Sequence, residues 1–173
     1  CAHYDTKPYP DRDRRRPKGR FIGANDGASG VAILMEMGKH MANLKGPVGV
    51  DFALFDGEEL VYQEGDKYFH GSERFATTYV QSPPEHRYRW GVLLDMVGDK
   101  DLTIPQEGHS ASWADTKPLV TEIWGVAATL GVREFVPQIG GQVLDDHIAL
   151  HDIAKIPTCD IIDFDFPAWH TEA

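Results

Sequence analysis

The chain has 173 residues, 42% of them apolar, and its 17 lysines and arginines stand against 27 aspartates and glutamates, a formal charge of −10. That size and apolar content can bury a core as a single domain over residues 1–173, and no apolar run is long enough to span a bilayer. The acidic balance disfavours nucleic acid as a partner and suits a chain that gathers carboxylates around a cation. Two cysteines, Cys1 and Cys159, supply neither a disulfide framework nor a paired metal motif.

In chain order, Cys1 to Asp5 reads as the end of a strand, followed by a polar, arginine-rich surface loop from Lys7 to Arg20. The glycine-bearing segment Gly23 to Gly30 then leads into Val31, Leu34, Met35, Met41 and Leu44, a spacing that predicts an amphipathic helix ending near Gly46-Pro47. A strand is expected over 48–55, and a helix through Phe75 and Tyr79 that stops before Pro83-Pro84. Trp90 to Val97 is a near-continuous apolar run, the pattern of a strand covered on both faces. Asp115 to Leu130 has helical spacing, with Asp115 as the N-cap and Gly131 as the stop. Pro137 to Gly141 reads as loop, Asp145-Asp146-His147 opens a short helix toward Ile153, and Cys159 to Phe164 is the last strand. This alternation predicts an α/β fold of three layers, a mostly parallel central sheet with helices on both faces.

The strand over 48–55 breaks at Gly57 and presents Glu58 and Glu59 side by side. Two unit charges about 4 Å apart repel by roughly 4 kcal/mol at an effective dielectric near 20, so such a pair calls for a cation or a shared proton. Ligands of open α/β sheets bind at the carboxyl ends of the strands. There the sequence places His3 and Asp5 after the first strand, Asp26 before the first helix, Glu58 and Glu59, then Asp95, and His170 after the last strand. Carboxylate and imidazole donors without thiolates fit zinc with an open coordination position. Taken singly, Asp26 equally suits a helix cap, and His3 or His170 a satisfied structural histidine; their joint placement is what points to a metal.

The motifs His3-Tyr4-Asp5, Gly23 to Gly30, Asp56-Gly57-Glu58-Glu59, Leu94-Asp95-Met96 and Trp169-His170-Thr171 occur in this order in a family that the chain resembles. That family is the zinc aminopeptidases of clan MH, with the glutaminyl cyclases that share their fold. The resemblance implies a first metal site of Asp26, Glu59 and His170. It also implies a possible second one of His3, the bridging Asp26 and Asp95, hence one zinc with two possible. It makes Glu58 the general acid/base and Asp5 the residue that orients His3.

The Asp-Gly-Glu-Glu form, Asp145-Asp146-His147-Ile148 and the ending Phe166-Pro167 to Trp169-His170 are similar to the glutaminyl cyclase branch. There the positions of Asp145 and Asp95 belong to the catalytic network, Asp145 hydrogen-bonding toward Asp95, and Phe166 and Trp169 wall the substrate pocket. The segment Tyr62 to Gly65 lacks the tryptophan of animal cyclases. The expected activity is therefore conversion of N-terminal glutamine to pyroglutamate. A two-zinc aminopeptidase is the alternative, and a metal-free peptide-binding module on the same fold the third. A peptide substrate and a monomer are expected. Relatives carry segments before the His-x-Asp strand and after Trp-His-Thr, so truncated ends are expected, with a periplasmic or secreted location implied by the resemblance.

Overall fold

The computed structural model describes residues 1–172. Its strands are β1 (Ala2–His3), β2 (Leu54–Phe55), β3 (Gly91–Asp95), β4 (Ile104–Gln106), β5 (Phe135–Ile139) and β6 (Thr158–Ile162). Its helices are α1 (Ala28–His40, continued by a 3-10 turn over Met41–Asn43), α2 (His70–Gln81), α3 (Gly108–Ser112), α4 (Lys117–Leu130) and α5 (Asp146–Asp152). The pairs β1 with β2, β3 with β6 and β4 with β5 are all parallel. Cys1 joins the first two pairs, since its amino group donates to the Val92 carbonyl at 2.6 Å while its own carbonyl accepts from Leu94 N–H at 2.9 Å. That is the bonding of parallel neighbours, so β2, β1, β3 and β6 follow one another across one sheet.

Alternation along β6 separates the two faces. Cys159 and Ile161 join Leu94, Leu34 of α1 and Leu119, Val120 and Trp124 of α4 in the main core. Asp160 and Ile162 point the other way, where His147 of α5 lies 3.6 Å from Asp160 and Ile162 packs with Met96 and Val143. Helices thus cover both faces, as the alternation predicts. Close approach is built into α1 at Gly30, where a Cβ would stand 2.2 Å from the Leu94 carbonyl oxygen.

Several local expectations change. The strand expected over 48–55 is reduced to Leu54–Phe55, because among the described residues β2 pairs only with the two-residue β1, and Val48, Val50 and Phe52 are exposed beyond its reach. Along α1, Leu34 is buried but Met35 is 67% exposed and Leu44 65%, so the apolar spacing there overstates the buried stripe. Asp115 is not the cap of α4: Thr116 holds that position without a side-chain bond, and Asp115 pairs with His151 at 3.2 Å. Gly131 does stop the helix, at φ 73°. Pro137 lies in strand β5 rather than in a loop; among the described residues β5 pairs with β4 alone, and an edge strand tolerates proline. The sequence reading missed β5 as a strand, and it missed β4 and α3, both too short to develop a period.

Candidate functional site

The strand ends and the loops beyond them converge on one cavity of about 410 Å³ whose lining includes Asp26, Glu58, Glu59, Asp95, Asp145, Trp169 and His170. The acids and imidazoles arrive from several separate elements. β1 delivers His3 at 1% exposure, with Nε2 3.1 Å from Asp95 Oδ1 and 3.4 Å from Asp26 Oδ1. The turn after β2 delivers the glutamate pair, made possible by Gly57 at φ 69° with His70 packed against it. Asp5 fastens that turn, its two carboxylate oxygens accepting from Glu58 N–H at 3.0 Å and Glu59 N–H at 3.2 Å. The same Asp5 stands 3.5 Å from His3 Nδ1, so it serves both the histidine and the acidic pair.

His170 Nε2 sits 3.1 Å from Glu59 Oε2 and 3.5 Å from Asp26 Oδ2. Glu59 turns its other oxygen to Lys7 N–H at 2.7 Å. Three donor sets bring their ligand atoms within 4.8 Å of one another: Asp26, Glu59, His170 and His3, Asp26, Asp95, with all three residues buried in each, and His3, Glu58, Glu59, in which Glu58 is only half-buried. Asp26 belongs to the first two and is their bridge. Three buried oxygen and nitrogen donors in each of these two, with no thiolate, suit a divalent ion such as zinc with a coordination position left for another ligand. Met96 at φ 46° and His170 at φ 55° hold left-handed backbone beside the donors, a local strain of the kind that clusters at functional sites.

The electrostatics fit the same picture. Burial pushes Asp26 up, but hydrogen bonds from His170 and His3 outweigh it and hold the carboxyl down at about 2. Burial opposes the charge on His170, yet Asp26 and Glu59 raise it to about 9. His3 also moves upward, because its bonds to Asp26, Asp5 and Asp95 overcome burial. Burial, then the Asp145 charge, drives Glu58 well above the ordinary carboxylate range. Asp95 is raised chiefly by burial, and Asp145 by burial and then the charge of Asp160. In the absence of a cation this is a cluster that must hold protons, as like charges at close range require.

Asp145 caps α5 by accepting from Asp146 N–H at 2.6 Å with one oxygen, and its other oxygen is buried without a partner. Trp169 lines the cavity as expected. Phe166 does not: it packs against Met96, Val143 and Ile162, and Phe164, tilted at 57° against Trp169 with 4.7 Å between ring centroids, takes the wall position instead. The sequence cannot decide this, because only the turn geometry of the last loop determines which phenylalanine faces inward.

The contacts of four residues escaped the sequence reading. Asp11, inside the arginine-rich loop, contacts His170 Nδ1 at 3.0 Å and so orients its ring. Glu107, 1% exposed, accepts from the N–H groups of His109, Ser110 and Val143 and thereby pins the segment leading to Asp145. Asp160 and His147 continue a buried polar chain behind Asp145, with His147 Nε2 3.3 Å from Glu107. A lone apolar-flanked acid such as Asp160 in a central strand is the one signal that could have exposed this chain.

Comparison with known proteins gives a consistent answer. No curated protein sequence matches the chain. Among solved structures, a glutaminyl cyclase from Fimbriiglobus ruber superposes with a TM-score of 0.91 at 42% identity, over 99% of this chain and 61% of that one. A structure described as a leucine aminopeptidase precursor from Bacteroides thetaiotaomicron VPI-5482 gives 0.88 at 30% identity, over 98% of this chain and 61% of that one. A Zn-dependent exopeptidase from Parabacteroides distasonis ATCC 8503 gives 0.88 at 31%, over 99% of this chain and 63% of that one. The chain therefore spans a little over three fifths of the length of these relatives. The family model described as Peptidase family M28 matches residues 1–173, and with it the donor sets and the fold place this chain in peptidase family M28.

Proposed function

We propose that the chain carries the site of a zinc-dependent glutaminyl-peptide cyclotransferase, which closes an N-terminal glutamine to pyroglutamate with release of ammonia. The observation that carries this reading is Asp145. Its carboxyl group is 3% exposed, has one oxygen without a partner, and is pushed toward its protonated form by burial, then by the charges of Asp160 and of Asp95, a member of the second donor set. A buried carboxyl group held in its protonated form adds no negative charge beside Asp95, which leaves less to draw a second cation to His3 and Asp95. One ion at Asp26, Glu59 and His170 then remains.

When bound there, zinc supplies Lewis-acid polarisation of a carbonyl oxygen. The chain's residues do the rest. Glu58, lining the cavity but spare in the Asp26, Glu59 and His170 set, takes the proton from the substrate's α-amine as it attacks the side-chain amide carbon. It then returns that proton to the departing ammonia. Its raised pKa suits a group that must both accept and donate. Asp145 and Asp95 hold the amide nitrogen, and Trp169 and Phe164 exclude water beside it. The nucleophile is part of the substrate, so proximity contributes strongly and no water needs activation.

The aminopeptidase reading is favoured by one observation, the completeness of the His3, Asp26 and Asp95 set. A mass balance on a glutaminyl peptide and a leucyl amide separates the two. Ammonia from the first alone supports the cyclase. Free leucine without ammonia sinks it in favour of the aminopeptidase, and neither product from the folded, zinc-loaded chain leaves a peptide-binding module.

A further inference from the structure

Resting on the reading that this site takes peptide N-termini, we propose that Arg12 and the basic segment behind it select peptides with a carboxylate immediately beyond the N-terminal residue. In a chain of net charge −10, Arg12, Arg14, Arg15, Arg16, Lys18 and Arg20 fall within one short stretch. The stretch is pinned at the cavity rim. Asp13 accepts from the N–H groups of Arg15 and Arg16, each at 2.8 Å, and from Glu172 N–H at 3.2 Å. Glu172 in turn accepts from Arg20 N–H at 3.0 Å and Arg16 Nη1 at 3.1 Å, and Arg12 N–H donates to the His170 carbonyl at 3.2 Å.

Among the described residues only Arg16 of this stretch pairs its side chain with a carboxylate, although carboxylates are in excess over the whole protein. A solvated structural surface would be expected to use them. Arg12 is the member that reaches the cavity. Its guanidinium carbon lies 3.8 Å from the centroid of the Trp169 ring, and both residues line the wall. Stacking occupies a face of the guanidinium and leaves its in-plane N–H edge available, the geometry that grips a carboxylate with two parallel bonds. Lys7, the other cation of the lining, is already committed to Tyr68 Oη at 3.1 Å and Asp11 Oδ2 at 3.3 Å.

Charge is thereby divided along the cavity. Of its lining, Asp26, Glu59, Asp95 and Asp145 are buried and Glu58 half-buried, while the exposed charged residues are Arg12 and Asp11, the latter committed to Lys7 and His170. That division complements a peptide whose ammonium enters first and whose carboxylate follows. The carboxylate can come from an acidic side chain at the second position or from the terminus of a dipeptide, and both present the same planar anion.

The test uses the zinc-loaded chain with glutaminyl and leucyl tripeptide amides carrying glutamate, glutamine or lysine in second place, and dipeptides with free or amidated ends. With an exposed ion pair contributing up to about 1 kcal/mol, kcat/KM should favour glutamate over glutamine by about fivefold. The preference should shrink with added salt and fall to about one in Arg12→Gln, with Arg12→Lys between. A gain for the free-ended dipeptide alone assigns the terminal carboxylate as the ligand; a gain for the glutamyl amide assigns the side chain. Equal kcat/KM across the wild-type series, or a preference that survives Arg12→Gln, overturns the proposal and leaves the reaction standing. If no peptide reacts, the reaction fails instead. Calorimetric affinities for the same peptides then decide the proposal, tighter glutamyl binding supporting it and equal binding overturning it.

Discussion

At the scale of single residues, adjacent glutamates do different work because their surroundings differ. Glu59 is 2% exposed and bonded to Lys7 N–H and His170, the setting of a metal ligand, whereas Glu58 is half-buried at the cavity wall. Glu58→Gln should therefore keep zinc and lose turnover by roughly 10²-fold or more, the usual contribution of an acid/base group, as a single-turnover assay would read. Glu59→Gln should instead lower zinc affinity by more than about 100-fold, beyond what groups that merely support a ligand cost, measured by competition with a chelating dye. Wild-type zinc affinity in that variant would remove Glu59 from the ligand set. Glu107 belongs to stability rather than chemistry. Burial works against its charge, but His147 and the N–H groups of Ser110 and His109 hold its carboxyl at about 2 against an ordinary 4.5. Its contribution is then complete above pH 4.5 and is lost as pH falls toward 2, on the order of 3 kcal/mol. Urea unfolding of Glu107→Gln should show that deficit at pH 7 and a smaller one at pH 3; a deficit independent of pH would show that the charge is not its source.

At the scale of elements, the site depends on how closely α1 lies on the sheet. Gly30 allows that approach, with the Leu94 carbonyl oxygen 2.2 Å and Ala2 Cβ 3.0 Å from where its Cβ would be. Gly30→Ala should therefore push α1 outward and cost about 1–3 kcal/mol despite the better helix propensity of alanine, since overpacking exceeds the propensity gain. Thermal unfolding checks it, and an unchanged or higher Tm would show that the helix has room to shift. The same displacement moves Asp26, two residues before α1, away from His170. Strain and chemistry are linked there, because Asp95 ends β3 and Leu94 is the residue that Gly30 touches.

At the scale of the whole molecule, the protein gathers its acids where the strands end. Their mutual repulsion is relieved by the cationic histidines or by a divalent ion. Zinc held by the folded chain and not by the unfolded one should stabilise by about 2.7 kcal/mol at 100 times its Kd, and chelation should reverse the gain in Tm. A Tm indifferent to both would mean that the donor sets do not hold a metal.

The strand-helix alternation was legible in the sequence because apolar periodicity is local, and His3, Asp26, Glu58, Glu59, Asp95 and His170 stood out as candidates because carboxylates and imidazoles at strand ends break that pattern, whereas Asp145 was singled out by the resemblance alone. Which of those residues meet was not local. Asp11 reached His170 across 159 positions of sequence, and Glu107 reached Val143 across 36, contacts that no spacing encodes. Period was too short to announce β4 and α3, and an edge position excused Pro137 from the rule that removes proline from strands. Composition and order thus determined that this chain builds a sheet with a carboxylate and imidazole rim. Only tertiary packing decided that Phe164 rather than Phe166 walls the cavity, that Asp5 clamps the glutamate pair, and that Arg12 lies on Trp169, because each depends on where separate loops come to rest against one another.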